Sequence, residues 1–385
     1  MFEVALRGLI GAVVVGGCAY FLLVLLSVRG FLARRSESPS KPSGALSFSL
    51  LKPLAGAEPD LNRNLESFYL LDSETYEVLC AARAADDPAL SVARSLGVRY
   101  PAIQSAALVA GEPSGHNPKV HSLAAMTGRA RGKVLVISDS DIRTDRGLLA
   151  SLAREFADPQ VGVVTCPYRA VAGASAWSTL EALGINTEFW GGVLVAQLLF
   201  PMDFAIGPTM AVRRSCLDAI GGWEAVEDHL AEDFQIGKLA RGAGFEVRLS
   251  THVVEHRIGS QGFGSNLAHR LRWRRSTRRS RPAGYWGEVF ANPLPWAVLL
   301  VPASEGAPWS WQLLGVCAAL RLLVAIAVAR LALGDREIAR RWLLLPLQDV
   351  LSLFTWLGGF FGRRIVWRGR TYRLGKDGRL QRVAD

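Results

Sequence analysis

Apolar positions gather along this chain in two kinds of run. One kind is long. Gly8 to Val28 carries no charge, and as a helix it would cross a hydrocarbon core roughly 30 Å thick. The other kind has the length of a buried strand, and such runs fall at Leu46 to Lys52, Tyr76 to Arg83, Ile103 to Ala110, Lys133 to Ser138, Val161 to Cys166 and Glu246 to Ser250. Helical spacing fits between them at 60–71, 117–130, 145–156 and 229–242. This alternation predicts an α/β domain around a mostly parallel, Rossmann-like sheet, whose ligands collect at the carboxyl ends of its strands. No internal repeat interrupts the pattern.

Long apolar runs return in the last third, at Val289 to Ala303, at Trp309 to Leu333 with Arg321 and Arg330 inside it, and at Leu343 to Phe361. Both "GDREIARRW" and the tail from Gly362 are basic, so the positive-inside rule draws both to the cytosolic side. That is satisfied if one neighbouring run does not cross, and Leu343 to Phe361, with Gln348 and Asp349, is the candidate for a re-entrant or interfacial segment. The run at 189–201, "FWGGVLVAQLLFP", is too short to span and reads as buried core or as a surface dipping into lipid. A cleaved signal peptide competes for the first run. Its length, the lack of a small-x-small cleavage site, and Arg29, Arg34 and Arg35 directly after it favour an anchor with residue 29 onward in the cytosol. The expected organisation is an anchor at 1–30, a Ser/Pro-rich linker within 31–45, a cytosolic domain at 46–284, membrane helices at 285–365 and a basic cytosolic tail at 366–385.

Composition strengthens the membrane reading, because half of the 385 residues are hydrophobic. The net charge of +10 comes from arginine, much of it after residue 245, and suits anionic lipid headgroups or a phosphate-bearing substrate. Five cysteines without CxxC spacing imply neither a disulfide framework nor a metal cage.

The polar landmarks sit at strand ends. "SDSD" follows the fourth strand, and Asp139 and Asp141 could both approach one hard cation such as Mg2+ or Mn2+, which takes oxygen ligands and bridges to phosphates. Alternatively Asp141 caps a turn and Asp139 merely ends the strand. Asp86 and Asp87 follow the second strand, where a carboxylate could receive a base or ribose, or could simply make the turn before Pro88. Glu232 and Asp233 open a helical pattern, as the helix dipole favours, or one of them is a general base tuned by burial. In "HRLRWRRSTRRSR", Arg272 could clamp a diphosphate and Trp273 could stack on a base or sugar, while Arg274 to Arg281 read as an interfacial basic face.

Taken in order, Asp87, Asp139, Asp233 and "HRLRW" after an amino-terminal anchor resemble the D, D, D, (Q/R)xxRW signature of membrane-bound family 2-like glycosyltransferases. More narrowly, "LKPLAGAEPDLNRNLESF", "DDPAL", "GHNPKVHSL", "SDSDIRTD", "GPTMAVRR" and "GGWEAVEDHLAEDF" resemble the ceramide glucosyltransferase family, glycosyltransferase family 21, whose bacterial members include hopanoid-associated enzymes. The resemblance implies a nucleotide-sugar fold of the A type and inverting transfer of a sugar, glucose first, from a UDP-sugar to a lipid hydroxyl at the cytosolic face of a membrane, here the bacterial inner membrane. It implies that Asp87 meets the uridine, with Lys52 and Lys119 as nucleotide or phosphate contacts, that Asp139 and Asp141 hold a divalent metal and the diphosphate, that Asp233 is the base, and that Arg272 and Trp273 complete the diphosphate site. His269 departs from the motif's first position, and Asp141 varies in the family, so Asp139 carries more weight.

Ceramide is the favoured acceptor and a hopanoid or other lipid hydroxyl the alternative. A processive polysaccharide synthase shares the signature, but too few apolar segments follow the domain to build a polymer channel. A non-enzymatic anionic-lipid scaffold leaves the strand-end aspartates unexplained, and their charge opposes nucleic acid as a partner.

Overall fold

The computed structural model describes residues 1–36, 46–73, 75–367, 370–375 and 377–383. The linker expected within 31–45 lies, from residue 37 on, outside the described residues, and its first part belongs to a helix that continues to Ser36. Contacts divide the chain into two units, one made of Met1–Ser36, Arg169–Phe200 and Ser260–Arg363, the other of Glu37–Tyr168, Pro201–Gly259 and Arg364–Asp385.

The first unit is helical. Its helix Phe2–Ser36 buries Val14, Phe21, Val24, Val28 and Phe31 along one side, and Gly16 and Gly17 admit Phe290 and Pro293 where any larger side chain would clash. Among the described residues two helices, Glu3–Ser36 and Pro308–Ala332, are long and apolar enough to cross a membrane. The helix Leu345–Gly359 has 15 residues, which at about 1.5 Å each falls short of a hydrocarbon core. Its polar residues turn into the protein. Asp349, fully buried, meets Arg321 through bonds of 2.7 to 3.1 Å, and Gln348 accepts from Arg270 at 3.2 Å. Arg321, the charge that interrupts an apolar run, is thereby neutralised where an unpaired ion would be prohibitive.

The second unit is built on seven strands: β1 (Phe48–Pro53), β2 (Tyr76–Ala82), β3 (Gln104–Val109), β4 (Val134–Ser138), β6 (Val161–Thr165), β8 (Thr209–Arg213) and β9 (Glu246–Leu249), in the order β3-β2-β1-β4-β8-β6-β9. Two further short strands, β5 (Ile142–Arg143) and β10 (Val254–Arg257), pair with each other, and in β7 (Tyr168–Val171) the chain passes into the helical unit. All pairs in the large sheet are parallel except those of β8, which runs antiparallel between β4 and β6. Strands β1, β2, β4 and β6 are buried along their whole length, which is why they read in the sequence as largely apolar runs rather than alternating ones, polar exceptions such as Ser49, Glu77 and Lys52 being paired inside. The helices expected at 60–71, 117–130, 145–156 and 229–242 form at Leu61–Glu66 with a 3₁₀ turn after it, Pro118–Thr127, Leu148–Glu155 and Glu232–Gly242. The residues expected as a basic tail at 366–385, with the two before them, form three antiparallel strands, β11 (Arg364–Trp367), β12 (Arg370–Leu374) and β13 (Leu380–Arg382), that belong to this unit.

Candidate active site

The turn after β4 is fixed through its backbone. The N–H of Asp139 donates to the Pro208 carbonyl at 3.1 Å, extending the pairing with β8. The Asp139 carbonyl accepts Lys52 Nζ at 2.6 Å, and Ser140 donates to Glu58 at 2.7 Å. With its main chain held, the turn presents the Asp139 and Asp141 carboxylates at the carboxyl edge of the sheet. Lys52, expected at a nucleotide or phosphate, is fully buried beneath this turn. Its ammonium also reaches Ser138 Oγ at 3.2 Å and sits 3.8 Å from the Phe68 ring centre. Burial pushes its pKa down to about 7.

Each aspartate has its own partner. Asp139 Oδ1 receives Lys119 Nζ at 2.7 Å, and the same ammonium bonds Glu232 Oε1 at 2.9 Å. Lys119 is placed by Asn117, whose side chain caps the helix Pro118–Thr127 by accepting from the N–H groups of Lys119 and Val120 while its amide donates to Glu232 at 3.1 Å. Burial works against the charge on Lys119, but Asp139 and Glu232 outweigh it and hold its pKa above the ordinary value. Burial raises the Asp139 carboxyl in spite of Lys119.

Asp141 Oδ2 meets His256 Nε2 at 3.0 Å, because β5 and β10 pair His256 with Ile142, the residue after the aspartate. The Asp141 carboxyl is held below its usual range: burial opposes this, and His256 and Lys52 outweigh burial. Its second oxygen, Oδ1, is buried without a hydrogen-bond partner. A buried carboxylate oxygen left open beside a second carboxylate fits a hard divalent cation, which needs few protein ligands when water and phosphate complete its shell. Among the described residues no group of three or more His, Cys, Asp or Glu side chains is placed to hold a metal ion by itself. His256 was not singled out in the sequence; the only sign of it is a lone histidine in the short stretch "VVEHR".

Asp233 is held from two sides, its Oδ2 accepting the Gly207 N–H at 2.5 Å and its Oδ1 accepting the Phe234 N–H at 2.8 Å. Two glycines permit this approach. A side chain at Gly207 would press on the Asp233 carboxylate, and one at Gly237 would collide with the backbone of Phe204 and Ala205. Burial and then the neighbouring Glu232 push the Asp233 carboxyl up to about 7, against the pull of Lys119 and the two backbone donors.

Asp87 stands apart from this cluster in its bonding. It caps the helix Pro88–Arg99 through the Ala89 N–H at 2.9 Å and receives the Gly56 N–H at 3.1 Å, fixing the loop after β1. The turn before Pro88, one of the two readings of this position, thus takes the form of a helix cap, and the same carboxylate fixes the loop after β1. Asp86 beside it is exposed.

Arg272 and Trp273 lie on the helix Phe263–Ser280 of the other unit. Trp273 packs against His269 at 5.1 Å and Phe189 at 6.3 Å between ring centres. His269 Nδ1 is 2.8 Å from Glu181, and Arg270 bonds Asn266 and Gln348. The residues at and after the motif's first position are thus tied into their own helical unit. Arg274, expected on an interfacial face, is instead held among Glu188, Glu288 and Ser352, and Arg275 and Arg278 donate to the carbonyls of Phe361 and Phe360.

A family model described as Glycosyl transferase family 21 matches residues 9–380. Ceramide glucosyltransferase 1 of Caenorhabditis elegans is 31% identical over 207 residues, 53% of this chain and 44% of that protein. Ceramide glucosyltransferase 3 of the same organism is 26% identical over 261 residues, 66% of this chain and 56% of its own length. The chain thus spans about half the length of the curated relatives it matches. Among solved structures, the mannosyltransferase PcManGT of Pyrobaculum calidifontis, in complex with GDP-Man and Mn2+, aligns with a TM-score of 0.52 at 18% identity, covering 90% of this chain and 99% of that one. The α/β fold is that of the A-type nucleotide-sugar glycosyltransferases.

Proposed function

This chain belongs to glycosyl transferase family 21, and from that premise we propose that it transfers a hexose, glucose in first place, from a UDP-sugar to the hydroxyl of a ceramide-type membrane lipid with inversion at the anomeric carbon. The observation that carries the reading is Asp233, a carboxylate fixed by two backbone donors, with its pKa at about 7, in the same unit as the Asp139–Asp141 turn. A general base works best when its pKa lies near the operating pH. Asp233 takes the proton from the acceptor hydroxyl as that oxygen attacks the anomeric carbon, the bond to the diphosphate breaks, and UDP leaves with the electron pair. One in-line displacement inverts the configuration.

Asp139 and Asp141 are the residues that would hold a divalent cation, Mg2+ or Mn2+, with His256 orienting Asp141. When bound, such an ion would neutralise charge developing on the diphosphate. The mannosyltransferase that shares the fold carries Mn2+ and a nucleotide-sugar in its structure, which supports this assignment. Lys119 balances the cluster so that its carboxylates share one site. Asp87 is the proposed uridine contact, and the assignment of Arg272 and Trp273 to the diphosphate rests on the resemblance of "HRLRW" to the family motif.

The acceptor class is supported by two ceramide glucosyltransferase relatives and by two helices apolar enough to sit in a bilayer. We place the protein as multi-pass in a bacterial inner membrane, its α/β unit on the cytosolic side where Arg29, Arg34 and Arg35 belong, and its +10 charge against anionic headgroups.

Calorimetry tests the metal assignment. UDP binds in the presence of Mn2+ and not after chelation. His256→Ala, which removes only an orienting partner, weakens metal-dependent binding by about 10–100-fold, and Asp141→Asn weakens it further. Equal UDP affinity in EDTA, or in Asp141→Asn, would remove the metal from the account.

A further inference from the structure

The strands β11, β12 and β13 bury Ile365, Tyr372, Leu374 and Leu380 as one small core, and Leu230 packs against it. Residues 228–230 then add to the edge of β13. The Leu380 N–H donates to the Asp228 carbonyl at 2.7 Å, the Leu230 N–H to the Gly378 carbonyl at 3.4 Å, and His229 bridges Arg379. The other side of the same segment is gripped by the loop before Lys119. The His116 N–H donates to Asp228 Oδ1 at 3.1 Å, the Asn117 N–H to the Glu227 carbonyl at 2.8 Å, and the Asn117 side chain to the His229 carbonyl at 2.8 Å. Immediately afterwards the helix Glu232–Gly242 begins.

That helix has no local device to set its start. Ala231 precedes it, with φ −103° and ψ 71° and no side chain able to cap, so the entry angle depends on what holds residues 228–230. We propose that the C-terminal sheet is a positioning element of the active site, with Leu380 and Leu230 as its positioning residues: by seating residues 228–230 it sets where the Glu232 and Asp233 carboxylates point. The inference rests on the reading of Asp233 as the base. A catalytic group displaced by about 1 Å costs on the order of 10²-fold in rate. Lys52, which holds the Asp139 turn, and His256, which holds Asp141, make no bond to this sheet described above, and the donor side is tied to it through Asn117 and Lys119, so turnover is expected to fall further than donor binding.

The test uses the full chain in lipid nanodiscs with UDP-glucose and ceramide. Leu380→Ala is expected to lower kcat about 100-fold with a smaller loss of UDP affinity by calorimetry, and Leu380→Met, which refills the volume, to restore most of the rate. Should Leu380→Ala lose UDP binding through unfolding, Leu230→Val, a smaller trim on the other side of the contact, is expected to lower kcat further than UDP affinity. The inference is overturned if Leu380→Ala turns over like the parent chain, or if kcat and UDP affinity fall together in both alanine and valine variants. A parent chain that binds UDP yet transfers no sugar overturns the functional reading instead.

Discussion

Asp233→Asn abolishes sugar transfer and leaves UDP binding in place. The substitution keeps the size of the side chain and removes the atom that accepts the proton. Loss of a positioned general base costs about 10²–10⁴-fold in rate. Asparagine also turns its amide towards one of the two backbone donors, Gly207 or Phe234, so one hydrogen bond worth about 1 kcal/mol is lost and the fold survives. The parent enzyme's pH profile carries the same signature. As the proposed base, Asp233 acts only when ionised, and its carboxyl is raised from the ordinary 3.8 to about 7. The rate therefore climbs through neutral pH to a plateau above it, and falls tenfold per pH unit on the acid side. A profile flat from pH 5 to pH 8, in steady-state assays on the membrane-embedded enzyme, would exclude Asp233 as the titrating base.

Lys119→Met is the second large effect, and it falls on stability. Lys119 has a side chain 10% exposed and holds Asp139 and Glu232 at 2.7 and 2.9 Å. Methionine fills nearly the same space without the charge, leaving both carboxylates uncompensated beside Asp233. Removing one partner of a buried ion pair costs about 3–5 kcal/mol, enough to lower Tm by several degrees. The sign with pH follows from the shifts. The folded pKa of Lys119 lies above its ordinary value, so its contribution is complete at every pH below about 10.5 and fades only as pH rises beyond that. In the variant, the stranded Asp139 carboxyl, which burial already raises, takes up a proton as pH falls, so the Tm deficit is greatest in mildly alkaline buffer and narrows towards pH 5. Lys119 also draws the Asp233 pKa down, so its loss moves the acid limb of any residual activity to higher pH. An unchanged Tm at pH 8 would show that Lys119 does not balance this cluster.

What the sequence revealed and what it hid follow from the same physics. Strands covered on both faces are largely apolar, so β1, β2, β4 and β6 stand out as runs such as "VLVIS", and charge near their carboxyl ends marks ligand positions. The antiparallel strand β8, "TMAVR", is as long as β4 and β6 but begins directly after Gly207-Pro208 and runs into Arg213-Arg214, so breakers and charge hide it. The strands β5 and β10 are shorter still, yet they bring together Asp141 and His256, 115 residues apart. At the carboxyl terminus, alternating Ile365, Tyr372, Leu374 and Leu380 were hidden by the arginines between them.

The types of residue at the site were therefore legible, and their pairings were not. Lys52 and Lys119 both read as phosphate contacts, whereas one supports a backbone turn and the other is enclosed by carboxylates. The weight between the two aspartates also moves. Asp139 is engaged by Lys119, while Asp141 keeps the open buried oxygen, so Asp141 is the stronger candidate to meet a cation.

The most direct measurement is transfer by the purified chain in nanodiscs containing ceramide, supplied with UDP-glucose and Mn2+, with the lipid product read by mass spectrometry and its anomeric configuration by NMR. The account predicts a monoglucosylated lipid of configuration opposite to the donor's, formed by the parent chain and absent with Asp233→Asn. No glycolipid from any UDP-sugar, a product that retains the donor's configuration, or equal product from Asp233→Asn would contradict it.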